Sequence, residues 1–479
     1  MAQDSGEGGL DPENWEDFRA AAHALLDRCI DRLAAGRAKP WQPVPEKVVR
    51  RYALDPDGPG RGETAAAVRL ADEILPHGNG NTHPRFFGWV HGTGLATGIL
   101  SEMVAATMNA NCGGRDHGAI HVERAVIDWT RRVMGFPDGA SGVLVTGTSQ
   151  ATVIALAAAR VAALGPESRA AGTRGAPLVA YAGAGVHNAA VKAMELLGLG
   201  HDALRRIPED ARGLSAGALA TAVTRDRAAG LHPFAVIATA GSVDLGRFDD
   251  LAALADLATD LGLWLHVDGA FGAWTRLADP PWRALSDGIG RADSLACDFH
   301  KWMYVPYDCG IVLIRDAERH RAAFAARPAY LAAQQAGLGG GEPWFCDYGI
   351  DLSRGNRALK VWTAIEAYGP DRLGAAITRN CALAARMGAA VAARPGMRLA
   401  APVVSCLCVF TADAGRDPAA QSALNARIAT ELQLSGEAVF STTVIDGVTC
   451  LRAAITNHRT TAEDVDAAIA AVARARDRS

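Results

Sequence analysis

Two strand-like segments in the middle of the sequence end in side chains that could act together in catalysis. The apolar run 263–267 leads directly into Asp268, and the run 294–296 is followed closely by His300 and Lys301. A lysine beside a histidine and between aromatic residues is partly desolvated and close to another cation. Both effects lower the pKa of an amine and make it a better nucleophile. The sequence therefore predicts a nucleophilic Lys301 with a depressed pKa.

Asp268 has two interpretations. Taken alone, a carboxylate after a strand is most often a solvated loop residue. Paired with a reactive lysine at a second strand end, it fits a pyridoxal 5'-phosphate enzyme. In such enzymes the lysine forms a Schiff base with the cofactor, and the aspartate keeps the pyridine nitrogen protonated. The protonated ring can then accept electrons from a carbanion at the substrate α-carbon.

A phosphate needs its own binding site, and the segment 143–152 offers one. An apolar strand enters a turn that contains Gly147, Thr148 and Ser149 and opens a helix, so that backbone N–H groups, hydroxyls and the helix dipole converge. By itself this turn is equally consistent with an ordinary helix N-cap. His187 stands at the start of another predicted helix. Most such histidines are helix caps, but here the imidazole could also lie against a pyridine ring.

Short apolar runs alternate with Ala-rich helical stretches from residue 83 onward. This alternation predicts an α/β sheet of parallel strands joined by helical crossovers, and ligands of such sheets bind at the carboxyl ends of the strands. The predicted strands are 143–145, 178–182, 234–239, 263–267, 294–296 and 310–314, and the predicted helices between them are 150–163, 188–196, 215–227 and 249–260.

The two ends of the chain differ from this central pattern. Residues 18–37 and 63–75 have apolar residues at helical spacing but no core of their own, so they must pack on the main body or on a second subunit. After a helix at 357–368, the segments 406–410, 447–454 and 461–476 predict a small α+β domain. We therefore expect an N-terminal helical segment at 1–84, a large domain at 85–365 and a small C-terminal domain at 366–479.

Composition argues against several other classes of protein. The 479 residues carry a formal net charge of -4 and 49% hydrophobic residues, which is typical of a globular protein and gives no electrostatic reason to bind nucleic acid or an acidic membrane. No uncharged apolar run is long enough to span a membrane, and the first residues are acidic, unlike those of a signal peptide. Nine scattered cysteines without a C-x-x-C pair argue against a zinc site or a disulfide scaffold. We expect a cytoplasmic protein without a bound metal.

The motifs together resemble those of group II pyridoxal-phosphate-dependent amino acid decarboxylases, the family of aromatic L-amino acid decarboxylases. The resemblance rests on His-Val-Asp-Gly-Ala-Phe at 266–271 and Phe-His-Lys-Trp at 299–302, and it extends over nearly the whole chain. It implies the fold type I architecture, with a mainly parallel seven-stranded sheet, and a homodimer in which the N-terminal helices are exchanged. It also implies decarboxylation of an L-amino acid to the amine and carbon dioxide, through a Schiff base on Lys301 and a quinonoid intermediate.

The resemblance assigns roles to individual residues. Lys301 binds the cofactor covalently, Asp268 contacts the pyridine nitrogen, and His187 stacks on the ring. The phosphate is held by the turn after the first strand and by the histidine before the lysine, which here are Gly147, Thr148, Ser149 and His300. Ser242 is the nearest hydroxyl to a family threonine that Val243 replaces, and we expect it to contact the cofactor.

The proton donor of the reaction is also implied by the resemblance. Alignment of residues 328–331 places Tyr330 at the position of the family's catalytic tyrosine, and the Gln and Gly residues at 334–341 are typical of a mobile lid. A tyrosine here is typical of decarboxylases, whereas aldehyde-forming members tend to have phenylalanine. Oxidative formation of an aldehyde, transamination and a lyase reaction remain alternatives, because the cofactor residues alone do not separate them.

The predicted substrate pocket departs from that of aromatic-substrate enzymes. Trp89 and His91 stand where those enzymes have a Tyr-Phe-Pro-Thr run, and Arg115 with Asp116 is unusually polar for a pocket wall. These last two residues form either a plain surface ion pair or a site for a polar or acidic substrate side chain. We expect Trp89, His91 and Arg115 to contact the substrate.

Overall fold

A computed structural model describes residues 9–326, 334 and 336–478 of the chain. Its N-terminal segment contains three helices, α1 (Trp15–Ala34), α2 (Glu46–Val49) and α3 (Glu63–Arg69), and none of them has a buried residue. Helices α1 and α3 pack against each other, and Arg28 of α1 forms an ion pair of 2.8 Å with Asp72, three residues after the end of α3. As the sequence predicts, these helices form no core of their own.

The strands that follow form the central sheet and one small ladder. In chain order they are β1 (Ser141–Val145), β2 (Leu178–Gly183), β3 (Leu204–Ile207), β4 (Glu209–Asp210), β5 (Gly213–Leu214), β6 (His232–Thr239), β7 (Trp264–Asp268), β8 (Ser294–Asp298) and β9 (Gly310–Ile314). Strands β4 and β5 pair only with each other, and the other seven form one sheet in the order β1-β9-β8-β7-β6-β2-β3. Strand β9 runs antiparallel to β1 and β8, while the remaining pairs are parallel.

The inner strands are buried along their whole length, so their sequences are continuous apolar runs without alternation. Helices of the same region pack on this sheet and on each other. In chain order they are α4 (Thr97–Met108), α5 (Gly118–Met134), α6 (Thr148–Leu164), α7 (Ser168–Ala171), α8 (Asn188–Leu196), α9 (Ala216–Ala228), α10 (Leu251–Asp260), α11 (Phe299–Trp302) and α12 (Ala317–Phe324). Helices α4 and α5 and strand β3 were not predicted from the sequence.

A second layer of structure follows helix α13 (Ala358–Ala392), whose path changes at Gly369, where φ is 63°. Glycine adopts this conformation without the penalty that a Cβ brings, and Pro370 then begins the second helical stretch. Strands β10 (Arg398–Leu399), β11 (Leu407–Thr411), β12 (Ser441–Ile445) and β13 (Val448–Ala454) form an antiparallel sheet.

Helix α14 (Pro418–Ser435) packs on β13, and helix α15 (Ala462–Asp477) packs on α13 and α14 around a hydrophobic core of their own. The predicted domain limit at residue 365 falls within α13 and stays a prediction.

The fold class predicted from the sequence is confirmed by the mainly parallel seven-stranded sheet and the α+β arrangement after it. Among the described residues, no helix is both long and apolar enough to cross a membrane. Seven of the nine cysteines are buried.

Candidate active site

One cavity of about 540 Å³ lies at the carboxyl ends of the central strands. It brings together nine of the residues that the sequence singled out, which are Lys301, Asp268, His187, Gly147, Thr148, Ser149, His300, Trp89 and His91. The ends of β1, β6, β7 and β8 all contribute to its wall, as expected for an α/β sheet. Residues far apart in the sequence therefore meet because parallel strands end at the same edge.

Lys301 is held in place by large buried neighbours. It belongs to α11, a single turn that follows β8, and Trp302 and Tyr304 on either side of Met303 are fully buried. The indole N–H of Trp302 and the hydroxyl of Tyr304 both donate to Oδ1 of Asn380 on α13, at 3.0 and 2.7 Å. The Asn380 amide in turn donates to the carbonyl of Asn457 at 2.9 Å. This network anchors the backbone that carries the lysine.

Asp298, which sequence reasoning did not single out, is the nearest charged partner of the lysine. Its carboxylate is buried, and Oδ2 lies 3.0 Å from Nζ of Lys301. Burial by itself lowers the pKa of Lys301, but the charge and hydrogen bond of Asp298, together with the charge of Asp268, outweigh it and raise the pKa. The predicted depression of this pKa is therefore wrong. The spacing of Asp298, three residues before the lysine, was the signal that could have revealed the pair.

Asp268 closes the deep end of the cavity at the last position of β7. Burial raises the pKa of this carboxyl, and the positive charge of Lys301 lowers it by a smaller amount. Its Oδ1 accepts a hydrogen bond from the Ala270 N–H at 3.1 Å. A buried carboxylate with so few protein donors is suited to a cationic partner in the cavity, such as a protonated pyridine nitrogen.

The predicted phosphate turn joins β1 to α6, and His300 closes it from the other side. A Cβ at position 147 would lie 3.2 Å from Cε1 of His300, so glycine permits this close approach. Nδ1 of His300 accepts from the Cys309 N–H at 3.0 Å, which leaves the proton on Nε2. Ser149 is exposed at the first turn of α6. The Thr148 N–H and hydroxyl, however, both donate to Asp298.

His187 caps helix α8 and also faces the cavity. Its Nδ1 accepts a hydrogen bond from the Ala189 N–H at 3.1 Å, and its ring is exposed. The helix-cap interpretation is therefore confirmed, and stacking of His187 on a pyridine ring stays a prediction that its place at the cavity wall allows.

The outer wall of the cavity is aromatic. The ring centroids of Trp89 and His91 lie 5.7 Å apart, and Tyr307 lies 6.0 Å from His91 and 4.4 Å from His300. The hydroxyl of Tyr307 accepts from the Gly92 N–H at 3.3 Å, so its own proton is free to be donated. Burial and the charge of Lys301 lower the pKa of His91, which favours the neutral ring. Sequence reasoning missed Tyr307, which follows the lysine by only six residues.

Two of the predicted site residues that the structure describes, Arg115 and Ser242, do not line this cavity. The guanidinium of Arg115 lies over the ring of Trp344 at 4.7 Å, and Arg115 does not line the cavity. The Ser242 hydroxyl accepts from the Arg247 N–H at 3.1 Å within its own turn. Tyr330 lies outside the described residues. The expectation that Arg115 contacts the substrate is not supported by this placement.

The residues present fit pyridoxal phosphate. A buried carboxylate, a lysine amine and a glycine-containing turn at a helix N-terminus lie around one cavity, and these groups match the ring nitrogen, the aldehyde and the phosphate of that cofactor.

Comparisons with known proteins agree with this geometry. Residues 55–413 match the family model described as the pyridoxal-dependent decarboxylase conserved domain. The chain is 31% identical to the aromatic-L-amino-acid decarboxylase of Bacillus atrophaeus, with 94% of this chain and 93% of the relative covered. It is 28% identical to the phenylacetaldehyde synthase of Arabidopsis thaliana, with 93% of each chain covered. The crystal structure of Oryza sativa TDC with PLP and tryptamine superposes with a TM-score of 0.89 at 26% identity and covers 98% of this chain and 99% of that one.

Proposed function

The chain belongs to the pyridoxal-dependent decarboxylase family, and we propose that it converts an L-amino acid to the corresponding amine and carbon dioxide, with Lys301 as the lysine that binds the cofactor. The enzyme is a carboxy-lyase that uses pyridoxal 5'-phosphate. The observation that carries the residue assignment is the meeting of Lys301, Asp268 and the N-terminus of α6 in one cavity.

Four parts of the cavity would hold the cofactor. Asp268 would contact the ring nitrogen, His187 would lie against the ring, and Lys301 would bind the aldehyde carbon. Gly147, Ser149 and His300 would surround the phosphate, and Thr148 supports that turn through its bonds to Asp298. When bound, pyridoxal phosphate supplies a protonated ring that accepts the electron pair left by carbon dioxide.

The buried carboxylate of Asp268 would stabilise a positive charge on the ring nitrogen, because a buried carboxylate without a cationic partner is costly. The aromatic wall formed by Trp89, His91 and Tyr307 would limit the access of water to a bound substrate. Tyr330 is our proposed proton donor to that carbon, because a phenol with an ordinary pKa near 10 is protonated at working pH.

We propose a neutral, mainly aromatic side chain for the substrate. Among the described residues that line the cavity, the carboxylates are Asp268 and Asp298 and no arginine is present. Both carboxylates are assigned to the ring nitrogen and to Lys301, so neither is left for a basic side chain. The exposed ring of Trp89 and the Tyr307 hydroxyl instead offer stacking and one hydrogen-bond donor.

A homodimer is part of this proposal. Large apolar side chains are exposed on α1, α3 and α4, and they include Trp15, Ile30, Val68, Leu100 and Met103, each about half exposed or more. Apolar area of this extent on neighbouring helices is typical of a subunit interface. A cytoplasmic location stays a prediction.

The proposal is tested by product analysis. The purified enzyme is incubated with L-amino acids that have aromatic, acidic and basic side chains, and amine, aldehyde, keto acid and dissolved oxygen are measured together. We expect amine and carbon dioxide in near-equal amounts from an aromatic substrate, and Tyr330→Phe should divert product toward aldehyde with consumption of oxygen. Tyr307→Phe removes the other phenol of the site and should keep amine as the product. Aldehyde as the main product of the unaltered enzyme would instead favour the activity named for the Arabidopsis relative.

A further inference from the structure

We propose that Asp298 competes with the cofactor for both of its protein anchors, the Lys301 amine and the N-terminus of α6, and so weakens cofactor binding at neutral pH. This inference rests on the proposed role of Lys301. It assigns a function to a buried carboxylate whose two oxygens contact Lys301 and Thr148, and it makes Asp298 a positioning residue that tunes how readily the cofactor is bound and lost.

The first anchor is the lysine. Condensation of Lys301 with the cofactor aldehyde forms a C=N bond and releases water, and it requires an amine that has first given its proton to solvent. The carboxylate of Asp298, 3.0 Å from Nζ, stabilises the ammonium instead. The raised pKa of Lys301 has the same cause, since burial alone would lower it.

The second anchor is the helix N-terminus. The Thr148 N–H donates to Oδ1 of Asp298 at 2.7 Å, and the Thr148 hydroxyl donates to Oδ2. These are donors that the first turn of α6 would otherwise offer to a phosphate. An anionic carboxylate there also repels a phosphate dianion across a short distance in a poorly screened site.

Asp298 cannot leave this position easily. Its backbone N–H donates to the carbonyl of Ala270 at 3.0 Å, and its own carbonyl accepts from the indole N–H of Trp274 at 2.9 Å. A Cβ at Gly310 would lie 2.5 Å from Oδ1, so the carboxylate fills the space beside the start of β9. The carboxylate would therefore stay beside both anchors when the cofactor binds, and its effect would be electrostatic.

Other titratable groups around Asp298 and Lys301 do not cancel the effect of the Asp298 carboxylate on the lysine. Burial lowers the pKa of His300 and of His91, which favours neutral rings, and burial raises the pKa of Tyr307, which favours the protonated phenol. The neighbouring thiols of Cys297 and Cys309 are held protonated by burial, which raises their pKa. The remaining groups that face the pair from neighbouring elements are Asp268 at the end of β7, His187 at the start of α8 and Asp308 after α11.

The test measures cofactor affinity in three forms of the full-length enzyme: unaltered, Asp298→Asn and Asp226→Asn. The asparagine at 298 keeps a side-chain oxygen for the Thr148 N–H but removes the charge. Asp226 is the matched control, because it is a buried aspartate that accepts from the Tyr181 hydroxyl at 3.0 Å and does not line the cavity. Binding is followed by visible absorbance from about pH 6 to about pH 9, with pyridoxal phosphate and with pyridoxal, which lacks the phosphate and so isolates the lysine.

We expect Asp298→Asn to bind pyridoxal phosphate about tenfold more tightly at neutral pH, and the pH at which binding is half-maximal to fall by about one unit. Pyridoxal should show the same shift with a smaller gain in affinity, and Asp226→Asn should match the unaltered enzyme. An Asp298→Asn enzyme with unchanged affinity and pH profile, or with weaker binding of both compounds, would overturn the proposal.

Should Asp298→Asn not fold, the unaltered enzyme can still overturn the proposal. Its affinity for pyridoxal must rise with pH over this range, and a flat profile contradicts a lysine held as an ammonium. Failure of the proposed function is recognised separately, because Lys301→Ala would then retain the visible absorbance of lysine-bound cofactor.

Discussion

Two of the ion pairs that use a buried carboxylate, Glu123–Arg354 and Asp298–Lys301, differ in how completely the cation is bonded. Glu123 and Arg354 form a bidentate pair at 2.5 and 3.2 Å, and the guanidinium also donates to the carbonyls of Cys112 and Leu144. Asp298 and Lys301 share a single contact of 3.0 Å. The first pair joins α5, β1 and the segment before α13, whereas the second lies at the wall of the cavity.

Exposure separates the two cations in the same way. The Arg354 side chain is 2% exposed, and the Lys301 side chain is 23% exposed. A guanidinium stays charged at every relevant pH and its bonds are all made within the protein, so it can only hold segments together. An amine beside a cavity can lose its proton and form a new bond. The difference between a structural and a chemical ion pair therefore lies in the cation and its access to solvent.

The largest expected effect is a loss of catalysis, and it comes from giving the Asp298–Lys301 pair an arginine like that of the Glu123–Arg354 pair. Lys301→Arg keeps a cation beside Asp298 but removes the amine, so we expect a folded protein without visible cofactor absorbance and a loss in kcat/KM of about 10⁴-fold or more. Lys360→Arg is the matched control, because Lys360 is a buried lysine that pairs with Glu102 at 2.7 Å and does not line the cavity. Turnover by Lys301→Arg close to that of the control would disprove the assignment.

The next largest effect is also on catalysis, and it concerns Asp268, the other carboxylate that lines the cavity. Asp268→Asn should keep the fold and the lysine-bound cofactor but lower kcat by about a thousandfold, because an amide does not keep the ring nitrogen protonated. Asp249→Asn serves for comparison, since Asp249 is a carboxylate that accepts from the Leu214 and Thr239 N–H groups behind the same edge of the sheet. Steady-state kinetics measures kcat for both variants, and equal values would refute the proposed contact of Asp268 with the ring nitrogen.

A smaller effect, on stability rather than chemistry, should follow from breaking the structural pair. Glu123→Gln leaves Arg354 as a buried cation without its counter-charge, which should lower the free energy of unfolding by about 3 kcal/mol. Urea unfolding of the cofactor-saturated enzyme measures this loss. Rates per folded molecule should change little. If Glu123→Gln instead abolished activity in a stable protein, the division between the two pairs would be wrong.

The smallest effect is a dependence of stability on pH that neither pair causes. Burial lowers the pKa of both His266 and His320 to about 3, far below their unfolded values. The unfolded chain therefore binds protons first, and stability that is complete above about pH 6.5 is lost as the pH falls toward 3, by about 2 kcal/mol for each histidine at pH 5. His320→Gln should reduce this slope in urea unfolding, whereas His201→Gln, which changes an exposed histidine, should not. An identical slope in both variants would contradict the prediction.

Most of the central fold could be predicted because its signals are local. Runs such as β7 and β8 are mainly apolar and end in an aspartate, so both the strands and the position of Asp268 and Lys301 followed from pattern alone. Strand β3 was missed because Arg205 and Arg206 give it a polar composition, which an edge strand tolerates. The helix predicted at 357–368 ends where the chain turns at Gly369, and the structure resumes the helix directly after this turn.

What could not be predicted depends on contacts between distant segments. Arg115 adopts a left-handed conformation with φ of 90° and stacks on Trp344, and no local pattern indicates that partner. The pKa of Lys301 was predicted in the wrong direction because Asp298 was not recognised as the partner of the lysine. Thr148 was correctly placed at the turn after β1, but the engagement of its donors by Asp298 depends on residues 150 positions apart.

Peptide mapping of the reduced holoenzyme tests directly whether Lys301 is the residue that binds the cofactor. The holoenzyme is reduced with borohydride, digested and mapped by mass spectrometry, which is decisive because the chain contains only five lysines, Lys39, Lys47, Lys192, Lys301 and Lys360. We predict a phosphopyridoxyl group on the peptide that contains Lys301 and on no other. A modified Lys192 or Lys360, or no modified lysine in an enzyme that retains its visible absorbance and turnover, would contradict the account.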